Sequence, residues 1–219
     1  MLFYKWHQCK AFNYFVSGKY DKAENSFLRL LKADPNKVGM RHNLALVKLA
    51  LGKHDEAVQL LLEELDRFGG VYSRYRALGD SCYLWGKAGE AAAWYRKGLE
   101  EGVPSEEDRR FLEKRIEICG EAQTFENAME GIRQFNEGNN ALRNGDSPSA
   151  AEYYRESAEL DPTNFMARNN LGSIYMNHEK DYPRAAAAFE AALEYTDLPL
   201  IQKNLQMCRD EERKHHEKD

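Results

Sequence analysis

Apolar positions along this chain recur at spacings of three and four within segments of about 14 residues rich in Ala, Leu, Glu and Lys. That period predicts amphipathic helices rather than strands. The punctuation between the segments is regular. Gly18, Gly52, Gly86 and Gly120 stand 34 residues apart, as do Ala23, Ala57 and Ala91. Seven residues before the first three glycines lie Ala11, Ala45 and Gly79. The figure returns as Gly138, Gly145 and Ala150, then as Gly172 and Ala185, the last copy carrying one extra residue in its EKDYP turn. Four residues beyond each alanine comes a bulky apolar residue: Phe27, Leu61, Tyr95, Tyr154 and Phe189.

This order reads as helix pairs. The glycine suits a helix C-terminus, where a left-handed backbone is least costly without a Cβ. Pro148 and Pro183 fit the first turn of the following helix, which tolerates a missing N–H. Pro35, Pro104, Pro162 and Pro199 fall after the second helix of a pair. The small residue in the first helix is expected to face the small residue opening the second, marking their crossing. The bulky residue further on is expected to wedge against the next pair. Each pair leaves an apolar face bare until a neighbour covers it, which predicts a stacked solenoid.

These residues resemble the tetratricopeptide repeat (TPR) family. The matching segments are LGDSCYLWGKAGEAAAWYRKGLEEGVP (78–104), EGNNALRNGDSPSAAEYYRESAELDP (137–162) and NLGSIYMNHEKDYPRAAAAFEAALE (170–194). Repeats fall at 4–37, 38–71, 72–105, 131–164 and 165–199. The second departs most, with Lys48 where the family prefers an aromatic and Gly69 where it prefers proline. The resemblance implies an all-α fold, a right-handed α-solenoid of stacked antiparallel helix pairs.

Between the third and fourth repeats lie 25 extra residues. Ser105 is an N-cap for SEEDRRFLEKRIEIC, with Asp108 three residues on and one apolar face read from Phe111, Leu112, Arg115, Ile116 and Cys119. Phe125, Ala128, Met129, Ile132, Phe135 and Leu142 then continue at helical spacing into the fourth repeat. One long helix over roughly 122–144 is expected, against the alternative of two helices broken near Gly131. The tail from Pro199, with Ile201, Leu205 and Cys208 on one side, suits a capping helix. The expected organisation is a front module, 1–120, and a rear module, 121–219.

Composition narrows the function. Among 219 residues, 36 acids against 31 bases give a net charge of −5, which argues against a nucleic-acid binder. No run of about 18 apolar residues predicts a transmembrane helix. The first sixteen residues are apolar-rich but interrupted by Lys5, His7, Gln8, Lys10 and Asn13, unlike a secretory leader. The expectation is a soluble, cytoplasmic protein without membrane insertion. Cys9, Cys82, Cys119 and Cys208 form no CxxC pair and read as small buried hydrophobes. No GxSxG, phosphate loop or HExxH is present. Asp34, Glu159 and Asp161 read as turn and capping residues, and His215 and His216 lie in a charged tail. No catalytic residue, metal site or cofactor is expected, and the chain is not expected to be an enzyme.

What remains is binding. The resemblance implies that the first helices line a concave groove, presenting Phe12, Phe15, Val16, His42, Leu46, Leu49, Arg76, Asp80, Tyr83 and Leu84 in front. Such an apolar, aromatic-bearing surface accepts a partner's helix or extended peptide. The competing reading is that some of these side chains pack against the neighbouring repeat. The rear wall is more polar, with Phe135, Asn139, Leu142, Arg143, Met166, Asn169, Ser173 and Asn177. Asn43, Asn136 and Asn170 recur at one repeat position, where an amide can pair with a peptide backbone; structural use of these amides is the favoured alternative. The family's carboxylate clamp for chaperone tails is not expected. Asn139 and Asn170 match its asparagines, but Phe135, Ile201 and Leu205 stand where its cations belong, and charge-assisted bonds supply most of that affinity.

The first helix also carries Leu2, Phe3, Tyr4, Trp6, Phe12, Tyr14 and Phe15, aromatic surface that asks for cover. Self-association is the favoured occupant, ahead of a docking partner or a membrane. The sequence thus points to a non-catalytic adaptor binding a protein or peptide. A homo-oligomeric scaffold assembled through the N-terminal helix, or an accessory subunit of an enzyme complex, are the alternatives.

Overall fold

The computed structural model describes the backbone of residues 2–216 and the side-chain surroundings of residues 5–214. Among the described residues there are twelve α-helices and no strand. They fall into two compact units, one up to Gly102 and one from Val103 onward.

The first unit stacks three pairs: α1 (Leu2–Val16) with α2 (Tyr20–Ala33), α3 (Met40–Ala50) with α4 (His54–Phe68), and α5 (Tyr72–Leu84) with α6 (Ala88–Glu101). Successive pairs meet where α2 packs on α3 and α4 on α5. Gly18, Gly52 and Gly86, with φ of 69°, 72° and 81°, close the first helices in the left-handed conformation that their spacing predicts.

The second unit contains α7 (Glu106–Gly120), α8 (Ala122–Arg143), α9 (Ser147–Leu160), α10 (Phe165–Ile174), α11 (Tyr182–Leu193) and α12 (Pro199–His216). α8 runs unbroken through Gly131, where its backbone approaches α9 so closely that a Cβ would lie 3.1 Å from Leu160 Cβ and from the Ser157 carbonyl oxygen. The extra residue of the last repeat is absorbed as a π-turn, Tyr175–Glu179, ending on Lys180 at φ 59°. Pro148 and Pro183 occupy the first turns of α9 and α11. Ser105 caps α7 by accepting from Asp108 N at 3.1 Å. Ile201, Leu205 and Cys208 are buried in the core that α12 closes. Gly120, unlike the other repeat glycines, ends α7 without a left-handed residue; Glu121 continues in extended backbone.

Three expectations need correction. The bulky residue of the second helix, expected to wedge against the next pair, packs over the small residue of its own pair in the third, fourth and fifth repeats. A Cβ built on Gly79 would lie 2.4 Å from the Tyr95 ring, on Gly138 2.7 Å from Tyr154, and on Gly172 2.8 Å from Phe189. The bulky residue therefore fills the space over the small residue of its own pair. The division between units falls at Gly102, not after Gly120, because α7 packs on α8 and its side chains lodge in the second unit. Phe111 meets the edge of Phe165, Arg115 pairs with the fully buried Asp161 at 3.4 Å, and Arg110 Nε donates to the Glu194 carbonyl at 3.1 Å. Finally, Cys82 and Cys208 are buried, and burial pushes the Cys82 thiol up to about 11, but Cys9 is exposed and Cys119 half-buried.

Lys48, the departure from the family pattern, is almost fully buried. Its ammonium donates to Glu24 on α2 and Glu56 on α4, and Lys53 adds a bond to Glu24 at 3.1 Å. An ion cluster thus ties the first two pairs together where an aromatic ring would otherwise pack.

Candidate functional site

The two first helices α3 and α5 open a hollow of about 320 Å³, with Leu61 of α4 in its floor. His42, Leu46 and Leu49 line it from α3, and Tyr72, Ser73, Arg76, Ala77, Asp80 and Ser81 from α5. Helical spacing explains the set. His42, Leu46 and Leu49, and likewise Tyr72, Arg76 and Asp80, recur every three or four residues and so share one helix face.

The polar wall is internally ordered. Tyr95 O–H donates to Asp80 Oδ1 at 2.8 Å, and the other carboxylate oxygen lies 3.7 Å from Arg76 Nε. Arg76 Nη1 donates to the Tyr72 hydroxyl at 3.0 Å. Burial pushes the His42 pKa down, with Arg74 adding to it while Glu64 and Asp80 oppose, so the imidazole is neutral at pH 7. The result is an apolar floor of three leucines beside an oriented guanidinium: a seat for an apolar side chain whose neighbour offers an acceptor oxygen.

Five of the residues expected in a groove therefore meet here: His42, Leu46, Leu49, Arg76 and Asp80. Tyr83 does not. It is 1% exposed and belongs to the core, so its assignment as contact surface is corrected. The reason lies in helix phase. Phe12, Leu46 and Val16, Leu84 sit on the outward line and are exposed, whereas three residues after Phe12, Leu46 and Asp80 the helix has turned inward. Phe15 is accordingly half-buried against Tyr20 at 5.8 Å, and Leu49 half-buried in the hollow. Phe12 packs edge-on against Phe27 at 5.3 Å, outside the hollow, and Asn43 is half-buried without lining it.

In the second unit the asparagines serve the core. Tyr154 O–H donates to Asn139 Oδ1 at 2.8 Å, and Asn170 also hydrogen-bonds Tyr154, whose hydroxyl burial holds above its usual pKa. Asn170 Oδ1 additionally accepts from Asn169 at 3.3 Å, while Asn136 is exposed. Ile201 and Leu205 are core residues and the Phe135 ring packs on Tyr154 at 5.7 Å. The two asparagines at clamp positions thus face a tyrosine rather than a cationic pocket.

Tyr72, Ala77, Ser81 and Leu61 were missed as lining residues, since they lie off the positions the family resemblance selects, whereas Ser73 lies at one of those positions and was not named. The Tyr95–Asp80 and Tyr154–Asn139 bonds share a separation of fifteen residues, and that signal is present in the sequence. Where the bulky residue lacks a hydroxyl, as at Phe27 and Leu61, the residue fifteen before it is Phe12 or Leu46.

Trp6, on α1, is 58% exposed; the side chains of Leu2, Phe3 and Tyr4, like those of His215 and His216, lie outside the described residues. Among the described residues no helix is long and apolar enough to cross a membrane, and no group of three or more His, Cys, Asp or Glu side chains is placed to hold a metal ion.

Comparison with known proteins agrees with the repeat. A family model for the tetratricopeptide repeat matches residues 13–72, 42–106 and 135–199. The chain is 30% identical over 158 residues to tetratricopeptide repeat protein 8 of Caenorhabditis elegans, covering 66% of this chain and 31% of that protein. It is 23% identical over 160 residues to stress-induced-phosphoprotein 1 of the same organism, covering 69% of this chain and 50% of that one. The chain therefore spans half or less of the length of these curated relatives. Among solved structures, the TPR2AB-domain:pHSP90 complex of yeast Sti1 aligns at a TM-score of 0.49 and 13% identity, over 98% of this chain and 86% of that one. With the family model covering well over half of its residues, the chain belongs to the tetratricopeptide repeat family.

Proposed function

We propose that this protein is a non-catalytic interaction adaptor that holds a short segment of a partner protein in the hollow between α3 and α5. TPR proteins generally mediate protein–protein interactions. The observation that carries the specific reading is the open three-leucine floor beside Arg76, whose orientation is fixed by Asp80 and Tyr72. Leu46, 38% exposed in the free chain, is the side chain a ligand would cover. The segment it holds carries an apolar anchor next to a carbonyl or carboxylate that Arg76 receives. The exposed Trp6 and Val16 of α1 support a second reading, self-association through that helix.

Panning a random peptide library on the protein tests the adaptor reading. Peptides enriched on the wild type should bind Leu46→Asp at least ten-fold more weakly, while the melting transition changes by no more than about 0.5 kcal/mol, as for other exposed positions. Binding that survives Leu46→Asp removes the hollow from the account.

A further inference from the structure

The first helix pair carries a second cavity, of about 510 Å³, on a different face of α1 from the outward line that bears Phe12 and Val16. His7, Lys10 and Tyr14 of α1 line it with Lys22, Asn25, Ser26, Arg29, Leu30 and Ala33 of α2. Three cations and an imidazole surround it and no acidic side chain does, in a chain whose net charge is −5.

The second pair shows what such a face is for. Thirty-four residues on from His7, Lys10 and Tyr14 stand Arg41, Leu44 and Lys48, and 34 on from Lys22 and Arg29 stand Glu56 and Glu63. In the second pair these positions neutralise one another: Arg41 pairs with Glu63 at 3.1 Å and Lys48 with Glu56. α2 of the preceding pair covers them, supplying Glu24 to Lys48, while the Pro35 carbonyl accepts from Arg41 at 2.7 Å. Arg41, Leu44 and Lys48 are consequently buried. In the first pair both acids are replaced by bases, and Lys10, Lys22 and Arg29 are exposed. Lys10 leans on the aromatic rings beside it, 5.1 Å from Trp6 and 5.8 Å from Tyr14.

We infer that this face is a docking site for an acidic amphipathic helix of a partner protein, seated on α1 and α2 as α2 is seated on α3 and α4. Its carboxylates meet Lys10, Lys22 and Arg29, and its apolar stripe covers Tyr14 and Ala33. The site is independent of the α3–α5 hollow and uses none of its residues.

The test uses the full chain and two synthetic 18-residue helical peptides with the same leucine stripe, one flanked by glutamates and one by glutamines. Fluorescence anisotropy should show the glutamate peptide binding at least ten-fold more tightly than the glutamine peptide, with affinity falling as salt rises. Lys22→Glu/Arg29→Glu should reverse that preference, and the milder Lys22→Gln/Arg29→Gln should abolish it; both positions are exposed, and an unchanged melting transition checks the fold. Equal binding of the two peptides, no binding of either, or binding indifferent to both double variants overturns the inference. So does a wild-type dimer in sedimentation that the Glu variant dissolves, since the occupant is then a second copy of this chain.

Discussion

Gly79→Leu should destabilise the first unit by about 3 kcal/mol, the upper end of the cost of overpacking a core. The Cβ alone would lie 2.4 Å from the Tyr95 ring, which is itself fully buried and has nowhere to retreat. Pushing that ring also breaks its hydroxyl bond to Asp80, so the wall of the α3–α5 hollow loses its order together with the core. Gly89→Ala is the control. Gly89 lies in α6 with nothing within 4 Å of an added Cβ, and the substitution should stabilise by about 0.5 kcal/mol through helix propensity. Chemical denaturation of the two variants measures both effects. A Gly79→Leu protein as stable as the wild type would contradict the packing of bulky residue over small residue within one pair.

Lys48→Met should cost about 2 kcal/mol at pH 7, below the 3–5 kcal/mol typical of a broken buried pair. The discount has a structural origin: Glu56 is half exposed and Lys53 still neutralises Glu24. The pH dependence identifies the mechanism. The Lys48 hydrogen bond, supported by Lys53, holds the Glu24 carboxyl below its ordinary pKa of 4.5 against the opposing effect of burial. Its contribution is complete above pH 4.5 and disappears as pH falls through the depressed value. Burial lowers the Lys48 pKa, but the bonds to Glu24 and Glu56 outweigh it and leave the ammonium above 10.5. That part is complete below pH 10.5 and is lost only as pH rises beyond the elevated value. The stability gap between wild type and Lys48→Met should therefore be widest between these limits and narrow on acidification below pH 4.5. A gap independent of pH would assign Lys48 to packing by its alkyl stem alone.

The helices and their pairing are legible in the sequence because they rest on local chemistry. Gly18, Gly52 and Gly86 sit where a left-handed residue is needed, and Pro148 and Pro183 where a missing N–H costs nothing. The continuity of α8 followed from apolar spacing alone. The placement of α7 was not legible, because it is decided by Phe111, Arg115 and Arg110 meeting residues far along the chain, and an amphipathic face does not name its partner. Within the candidate site, His42, Leu46, Leu49, Arg76 and Asp80 follow from repeat register. Tyr83 does not, since positions three and four residues on from one exposed residue differ by a rotation large enough to carry a side chain from solvent into the core. Asn139 reads as a ligand group from its repeat position, but its amide oxygen is taken by the Tyr154 hydroxyl fifteen residues on. The charge pattern of the first pair was legible too, but its meaning emerged only beside the neutralised second pair.

Photocrosslinking tests the central claim most directly. A benzophenone amino acid in place of Leu46 lies in the α3–α5 hollow, and one in place of Gln59, exposed on α4 and outside that lining, serves as its control. Irradiated with a peptide selected by panning, the position-46 probe should form a covalent adduct with that peptide and the position-59 probe should form little or none. Equal adduct yields from the two positions, or adduct from position 59 alone, would contradict the account.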